Sequence, residues 1–154
     1  MIKFCKTYNY IKVTQIMHHP DIYNQLTYDQ LPDEDVCKQL SYDWICTNEN
    51  YLIYKGAVLL GALTVSQLDK HIVEIHGGVF KAGFGKLSRQ ILNEFMNYLK
   101  EKQHVRSVYM FTPKTKIFVK KLLQDTNFSK IDEFETNLTK NGEEVIMYMY
   151  RREL

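Results

Sequence analysis

The sequence has little of what would mark a secreted, fibrous or membrane-inserted chain. Its three cysteines, Cys5, Cys37 and Cys46, are odd in number and widely spaced over 154 residues. They build no disulfide framework and read as reduced, partly buried thiols of an intracellular protein. Three prolines and seven glycines are scattered, so no linker or low-complexity tract stands out, and no internal repeat is visible. No apolar run is long enough to span a bilayer, and the N-terminus lacks a signal-peptide core. No membrane is therefore expected, and the expected location is the cytoplasm or the inside of a particle assembled there. A net charge of +2 excludes a basic nucleic-acid stripe. Without that stripe, the eleven tyrosines read as core and strand residues rather than a base-stacking platform. His18 and His19 with Cys37 and Cys46 lack metal-ligand spacing, so no metal is expected.

What is present is ordinary globular material, 45% apolar and 25% charged, in a length that suits a single domain over residues 1–154. A soft articulation near Asn48-Glu49-Asn50 separates an α-rich first third from strands. Ile2 to Cys5 reads as a short strand. Thr7 or Asn9 can cap a helix carrying Ile11, Val13, Ile16 and Met17, which His18-His19-Pro20 interrupts. Pro20 suits the first position of a second short helix with Ile22, Tyr23 and Leu26 on one side. Tyr28 to Val36, with Asp29, Asp33, Glu34 and Asp35, reads as an acidic loop, either solvated or lining a substrate site. Tyr51 to Tyr54, a Lys55-Gly56 turn and Ala57 to Val65 form a hairpin. Gln67 to Lys70 makes the next turn, and His71 to His76 is the third strand of the meander.

Leu87, Ile91, Phe95 and Leu99 then recur at helical spacing. Val105 to Phe111 alternates like a strand. Thr112-Pro113 reads as a helix cap and first turn, followed by an apolar face of Phe118, Val119, Leu122 and Leu123. Asn127 is a left-handed stop. Phe128 to Leu138 and Val145 to Tyr150 flank Lys140-Asn141-Gly142, the strongest hairpin turn in the chain. The order is helices, three-strand meander, helix, strand, helix, hairpin.

One stretch points to a ligand. In Glu74-Ile75-His76-Gly77-Gly78-Val79-Phe80-Lys81-Ala82-Gly83-Phe84-Gly85-Lys86 a β-branched strand runs into glycines that break it, and a helix follows. A helix N-terminus has four N–H groups without intrahelical partners, and the macrodipole adds positive potential. An anion, most often a phosphate, is its natural occupant.

Taken together, several features carry a resemblance. They are Thr14 to Tyr23 with its His19-Pro20-Asp21-Ile22-Tyr23, the strand Val73-Glu74-Ile75-His76, Thr112-Pro113, and Lys140-Asn141-Gly142. With the element order, they make the chain resemble the GNAT acyltransferase superfamily, and within it the small phage-encoded GNAT-like proteins. The resemblance implies an α/β (α+β) fold whose mixed, mostly antiparallel central sheet is flanked by helices. It implies acetyl-CoA as acyl donor and an amine, on a small molecule or a protein, as acceptor. The phage kinship adds a second implication, a non-catalytic protein of particle assembly or host takeover with a viral or host protein partner. Its setting would then be the host cytoplasm or the virion. A homo-oligomer is left open.

GNAT proteins hold the donor with an Arg/Gln-x-x-Gly-x-Gly/Ala loop. Gly83-Phe84-Gly85 matches its glycine part, with the helix beginning on Lys86. Phe80 stands at the arginine or glutamine position, and Lys81 next door can supply the charge. The likeness implies that the strand before the loop splays from Val105 to Phe111, and that Val79 and Phe80 offer backbone to the pantetheine arm. In the last helix, Lys116 stands where an asparagine often contacts the cofactor. Leu123 stands where a tyrosine often protonates the departing thiolate, and Asn127 replaces a glycine. The acceptor amine needs a base, usually an acidic residue on the strand before the loop. Glu74, acting through water, is the first candidate. His76, two residues on and on the same face, is the second because its ordinary pKa is near neutral. A polar cleft edge without chemistry is the other reading of this pair.

Overall fold

A computed structural model describes residues 1–23 and 28–154. It contains one seven-stranded sheet in the order β1-β2-β3-β4-β5-β7-β6. The strands are β1 (Ile2–Thr7), β2 (Glu49–Lys55), β3 (Val58–Asp69), β4 (Ile72–Val79), β5 (Ser107–Pro113), β6 (Ser129–Lys140) and β7 (Glu143–Glu153). The helices are α1 (Tyr10–Met17), α2 (Pro20–Tyr23), α3 (Glu34–Cys46), α4 (Lys86–Gln103) and α5 (Ile117–Asp125). Pairs β1/β2, β2/β3, β5/β7 and β6/β7 are antiparallel, and β4/β5 is parallel. This is the mixed, mostly antiparallel α/β sheet with flanking helices that the resemblance implies. By its contacts the chain divides into two compact units. One is Met1–Thr27, Leu31–Ser66 and Ile75–Gly85; the other is Tyr28–Gln30, Gln67–Glu74 and Lys86–Leu154. Leu26, expected on the second helix, lies outside the described residues.

In the first unit, Asn9 caps α1 by accepting the Lys12 N–H at 3.1 Å. The helix then buries Val13 and Ile16 against Ile22, Ile45, Leu52 and Ala62. The acidic run after Tyr28 is partly a helix start, contrary to its reading as a loop. Asp33 accepts the Val36 N–H at 3.0 Å and caps α3, and Glu34 and Asp35 occupy its first turn. Carboxylates favour that place because the helix N-terminus is the positive end of the dipole. Buried Asn50 ties α3 to the sheet. Its amide donates to the Ile45 carbonyl at 2.9 Å, and its oxygen accepts from Thr64 at 2.8 Å.

Strand β4 does not break at its glycines. Gly77 and Gly78 are strand residues, because what they allow is close approach rather than a turn. A Cβ on Gly77 would stand 2.5 Å from the Ala62 carbonyl oxygen, and one on Gly78 would stand 2.7 Å from Ile22 Cγ2. Likewise β3 continues to Asp69, so the turn is shorter than Gln67 to Lys70.

In the second unit, α4 buries Ile91, Leu92, Phe95, Met96 and Leu99, the stripe its spacing predicts except for Leu87, which is half-buried. Arg89 pairs with Asp125 of α5 at 2.7 Å. Thr112-Pro113 is not a helix start. Both residues belong to β5 and pair with Tyr148 and Met147 of β7, and a proline at a strand end is tolerated because little depends on its missing N–H. Helix α5 begins only at Ile117, with Lys116 at its cap. Its predicted apolar face is split: Leu123 is fully buried, whereas Phe118 is 91% exposed. Asn127 has φ +63°, and Asn141 and Gly142 have φ +53° and +78° at the final hairpin, as the sequence predicts. Asp29 clasps that hairpin. Its carboxylate accepts the N–H groups of Asn141 and Gly142, both at 2.9 Å, and the Thr139 hydroxyl at 2.8 Å. No helix of the described residues is long and apolar enough to cross a membrane.

Candidate loop after strand β4

The loop begins where β4 ends. The Phe80 N–H donates to the Leu60 carbonyl of β3 at 2.7 Å, extending the strand contact one residue past Val79. Lys81–Gly83 then forms one 3-10 turn. In it the Gly83 N–H donates to Phe80 O at 2.7 Å and the Phe84 N–H to Lys81 O at 3.1 Å. The Lys81 N–H goes to Asp21 Oδ2 of α2 at 3.0 Å. Gly83 is buried, and a Cβ there would stand 2.9 Å from Val79 Cβ. Gly85 turns the chain at φ +77°, and a Cβ there would meet nothing within 4 Å. Lys86 follows, exposed, as the first residue of α4, whose first turn holds no acidic side chain.

The loop is therefore not a uniform row of outward donors. Four of its N–H groups, on Phe80, Lys81, Gly83 and Phe84, have acceptors inside the first unit. The donors that helix geometry leaves without intrahelical acceptors are those of the first turn of α4. They follow a residue with open space before it, beside an exposed lysine that the dipole alone would disfavour. This arrangement suits an anion.

Glu74 and His76 are both half-buried on β4. Glu74 stands opposite Tyr109 in the parallel pairing with β5, which covers Ile72↔Ser107, Val73↔Val108 and Glu74↔Tyr109. The His76 ring meets the Trp44 ring of α3 edge to face, with centroids 4.8 Å apart. Glu74, Lys86 and Lys116 belong to the second unit, and His76 with Val79 to Gly85 to the first. Burial, and then the charge of Lys140, hold the Lys116 ammonium below the usual lysine range. Phe84 is half-exposed and Lys81 exposed.

Sequence reasoning passed over the partners of the loop. Asp21 caps the Lys81 N–H, the His19 ring meets Phe80 edge to face at 4.8 Å, and Ile22 covers Gly78. Their signal was the tetrapeptide His19-Pro20-Asp21-Ile22, in which proline fixes a short helix carrying an acidic side chain in its first turn. Among the described residues no group of three or more His, Cys, Asp or Glu side chains is placed to hold a metal ion. His18 Nε2 instead lies 2.8 Å from Ser41 Oγ.

Comparison with solved structures defines the class by fold. A spermidine N-acetyltransferase from Vibrio cholerae, solved with CoA and spermine, matches with a TM-score of 0.73 at 11% identity, over 99% of this chain and 94% of that one. RimL, a ribosomal L7/L12 α-N-protein acetyltransferase solved with coenzyme A, matches with a TM-score of 0.75 at 13% identity, over 99% and 94%. An acetyltransferase of the GNAT family from Streptococcus pneumoniae gives 0.70 at 11% over the full length of both chains. At such identities the likeness is one of fold, and the fold is that of the GNAT acetyltransferases. By sequence, residues 36–153 match a family model described as "Protein of unknown function (DUF2824)", and the chain belongs to that family. No curated protein matches the sequence.

Proposed function

We propose that this chain is an N-acyltransferase that moves an acetyl group from acetyl-CoA to an amine of a small molecule or protein, working as one functional domain over residues 1–154. The observation that carries the reading is the Gly85-Lys86 entry into α4. An open, glycine-turned helix start bears a lysine and no acidic residue in its first turn, which suits a pyrophosphate. The GNAT fold around it supports the same reading. The donor supplies a thioester carbon that an amine can attack. Gly83, Gly85 and Lys86 bind its phosphates, with Lys81 and Phe84 beside them and Val79 and Phe80 bounding the arm. Lys116 is the candidate for a second phosphate contact, its partial burial being relieved by an anion. Glu74 takes the amine proton through water, with His76 as the alternative base. The new C–N bond forms as the C–S bond breaks, and the thiolate leaves with the electron pair.

The test is thermal. A ligand that binds only the folded state raises the melting temperature, so millimolar acetyl-CoA should raise it, and an unmoved transition sinks the reading. A second reading, a GNAT-like phage protein that binds a viral or host protein without catalysis, is not favoured by the structural neighbours, which are acetyltransferases. A stable complex in pull-down without acetyl transfer would favour it.

A further inference from the structure

Helix α2 meets the candidate loop at successive points, all inside the first unit. Ile22 is a buried member of the core with Val13, Ile16, Ile45, Leu52 and Ala62, and Phe80 packs against that cluster. Ile22 also lies over Gly78, where a Cβ would come within 2.7 Å of its Cγ2. One residue earlier, Asp21 Oδ2 accepts the Lys81 N–H at 3.0 Å, and its Oδ1 stands 3.9 Å from Lys81 Nζ. Two residues earlier still, the His19 ring meets Phe80 edge to face at 4.8 Å. The Asp21 N–H donates to His19 Nδ1 at 3.1 Å, which fixes the imidazole in place for that contact. Core burial of Ile22 thus holds the whole tetrapeptide still, and the tetrapeptide holds residues 78 to 81.

We propose that His19-Pro20-Asp21-Ile22 is a clamp that sets the conformation of the loop, and that Asp21 is the positioning residue for cofactor binding there. The inference rests on the acetyl-CoA reading for its functional half. Its physical basis is preorganisation: a loop already ordered in its binding conformation loses less entropy when the ligand arrives. The 3-10 turn closes through Lys81 O and Phe80 O. Fixing the Lys81 N–H from outside therefore fixes the turn that leads into Gly85. The Lys81 N–H needs an oxygen rather than a charge, so an asparagine can accept it too, and the ion pair with the exposed Lys81 ammonium adds little.

The experiment compares Asp21→Ala and Asp21→Asn by amide exchange in the ligand-free protein and by acetyl-CoA titration. Asp21→Ala should speed exchange at Lys81 roughly tenfold, the effect of one lost hydrogen bond. It should also weaken acetyl-CoA several-fold, as a rise in KM for acetyl-CoA with kcat little changed. Asp21→Asn should return both to near the wild-type values. Unchanged exchange at Lys81 in Asp21→Ala overturns the clamp. Faster exchange with unchanged affinity overturns the cofactor role. Tighter binding in either variant overturns it too, by making the carboxylate a competitor of the phosphate. Wild-type protein that does not bind acetyl-CoA removes the proposed function and the cofactor role together, while the exchange result still decides the clamp.

Discussion

Gly61 offers the sharpest test of how β3 and β4 meet. A Cβ built there would lie 2.1 Å from the Gly78 carbonyl oxygen and 2.8 Å from Val79 Cα. Both are backbone atoms of β4, so no rotamer change relieves the clash. Gly61→Ala must spread the two strands where the chain is about to enter the loop. Overpacking usually costs about 1–3 kcal/mol, and a collision with backbone on this scale belongs at or above the upper end. At roughly 2–4 °C per kcal/mol for a chain of this size, 3 kcal/mol lowers the melting temperature by about 6–12 °C. Gly56→Ala is the control. Its φ is +60° and a Cβ would meet nothing within 4 Å, so it carries only the left-handed penalty of about 1–2 kcal/mol. Trp44, the single tryptophan, lies in the same unit, so its fluorescence reads the transition there. Amide exchange at Phe80, whose N–H is held by Leu60, should accelerate in Gly61→Ala and not in Gly56→Ala. If Gly61→Ala melts within about 2 °C of wild type, the close approach of the strands is wrong.

Gly83→Asp should weaken acetyl-CoA binding, because its Cβ would crowd Val79 and its carboxylate would face a phosphate; an unchanged dissociation constant in calorimetry removes Gly83 from the site. Glu74→Gln should lower kcat more than it raises KM for acetyl-CoA, and equal turnover leaves Glu74 structural and passes the role to His76. The Asp29 carboxyl is held below its usual range first by the Gly142 N–H, then by the Thr139 hydroxyl and the Asn141 N–H. With a depressed folded-state pKa, its contribution to stability is present above the unfolded value, about 3.9, and is lost as pH falls through the folded one. Asp29→Asn should therefore flatten the loss of stability below about pH 4, and an unaltered acid limb would show the clasp to be idle.

Elements decided by neighbouring residues were readable in the sequence. Asn9 caps α1, the stripe from Ile91 to Leu99 is buried, and Asn127, Asn141 and Gly142 take the left-handed conformations their chemistry favours. What resisted reading depends on what stands opposite in space. Glycine breaks a strand or lets two backbones meet, and Gly77-Gly78 does the second only because Ala62 and Ile22 are there. Thr-Pro starts a helix or ends a strand, and β7 decides for the strand. The acidic run hid a helix cap because carboxylates mark loops and helix starts alike. For the site, the loop could be located from its glycines and the helix after it. The acceptors of its N–H groups could not, since Leu60 and Asp21 are about twenty and sixty residues away in sequence, a separation that local pattern does not reach.

Whether this loop serves catalysis turns on the base rather than on the missing tyrosine. A thiol with an ordinary pKa of about 8.5 can leave as thiolate at pH 7 for about 2 kcal/mol, so the lack of an acid at Leu123 costs at most that much, roughly thirtyfold in rate. An alkylamine with a pKa of about 10.4 must lose a proton before it attacks, and that costs about 4.6 kcal/mol at pH 7. In the proposed reading the larger barrier is the one assigned to Glu74, with His76 as the alternative base; each is half-buried on β4. Leu123 is also fully buried, so a tyrosine placed there would meet core side chains before it met a substrate. Placing there the tyrosine that the resemblance implies would then disturb packing without supplying an acid. An inactive Leu123→Tyr variant would say nothing about mechanism, whereas Glu74→Gln and His76→Gln, taken singly and together, separate an acyltransferase from a protein that only holds the cofactor.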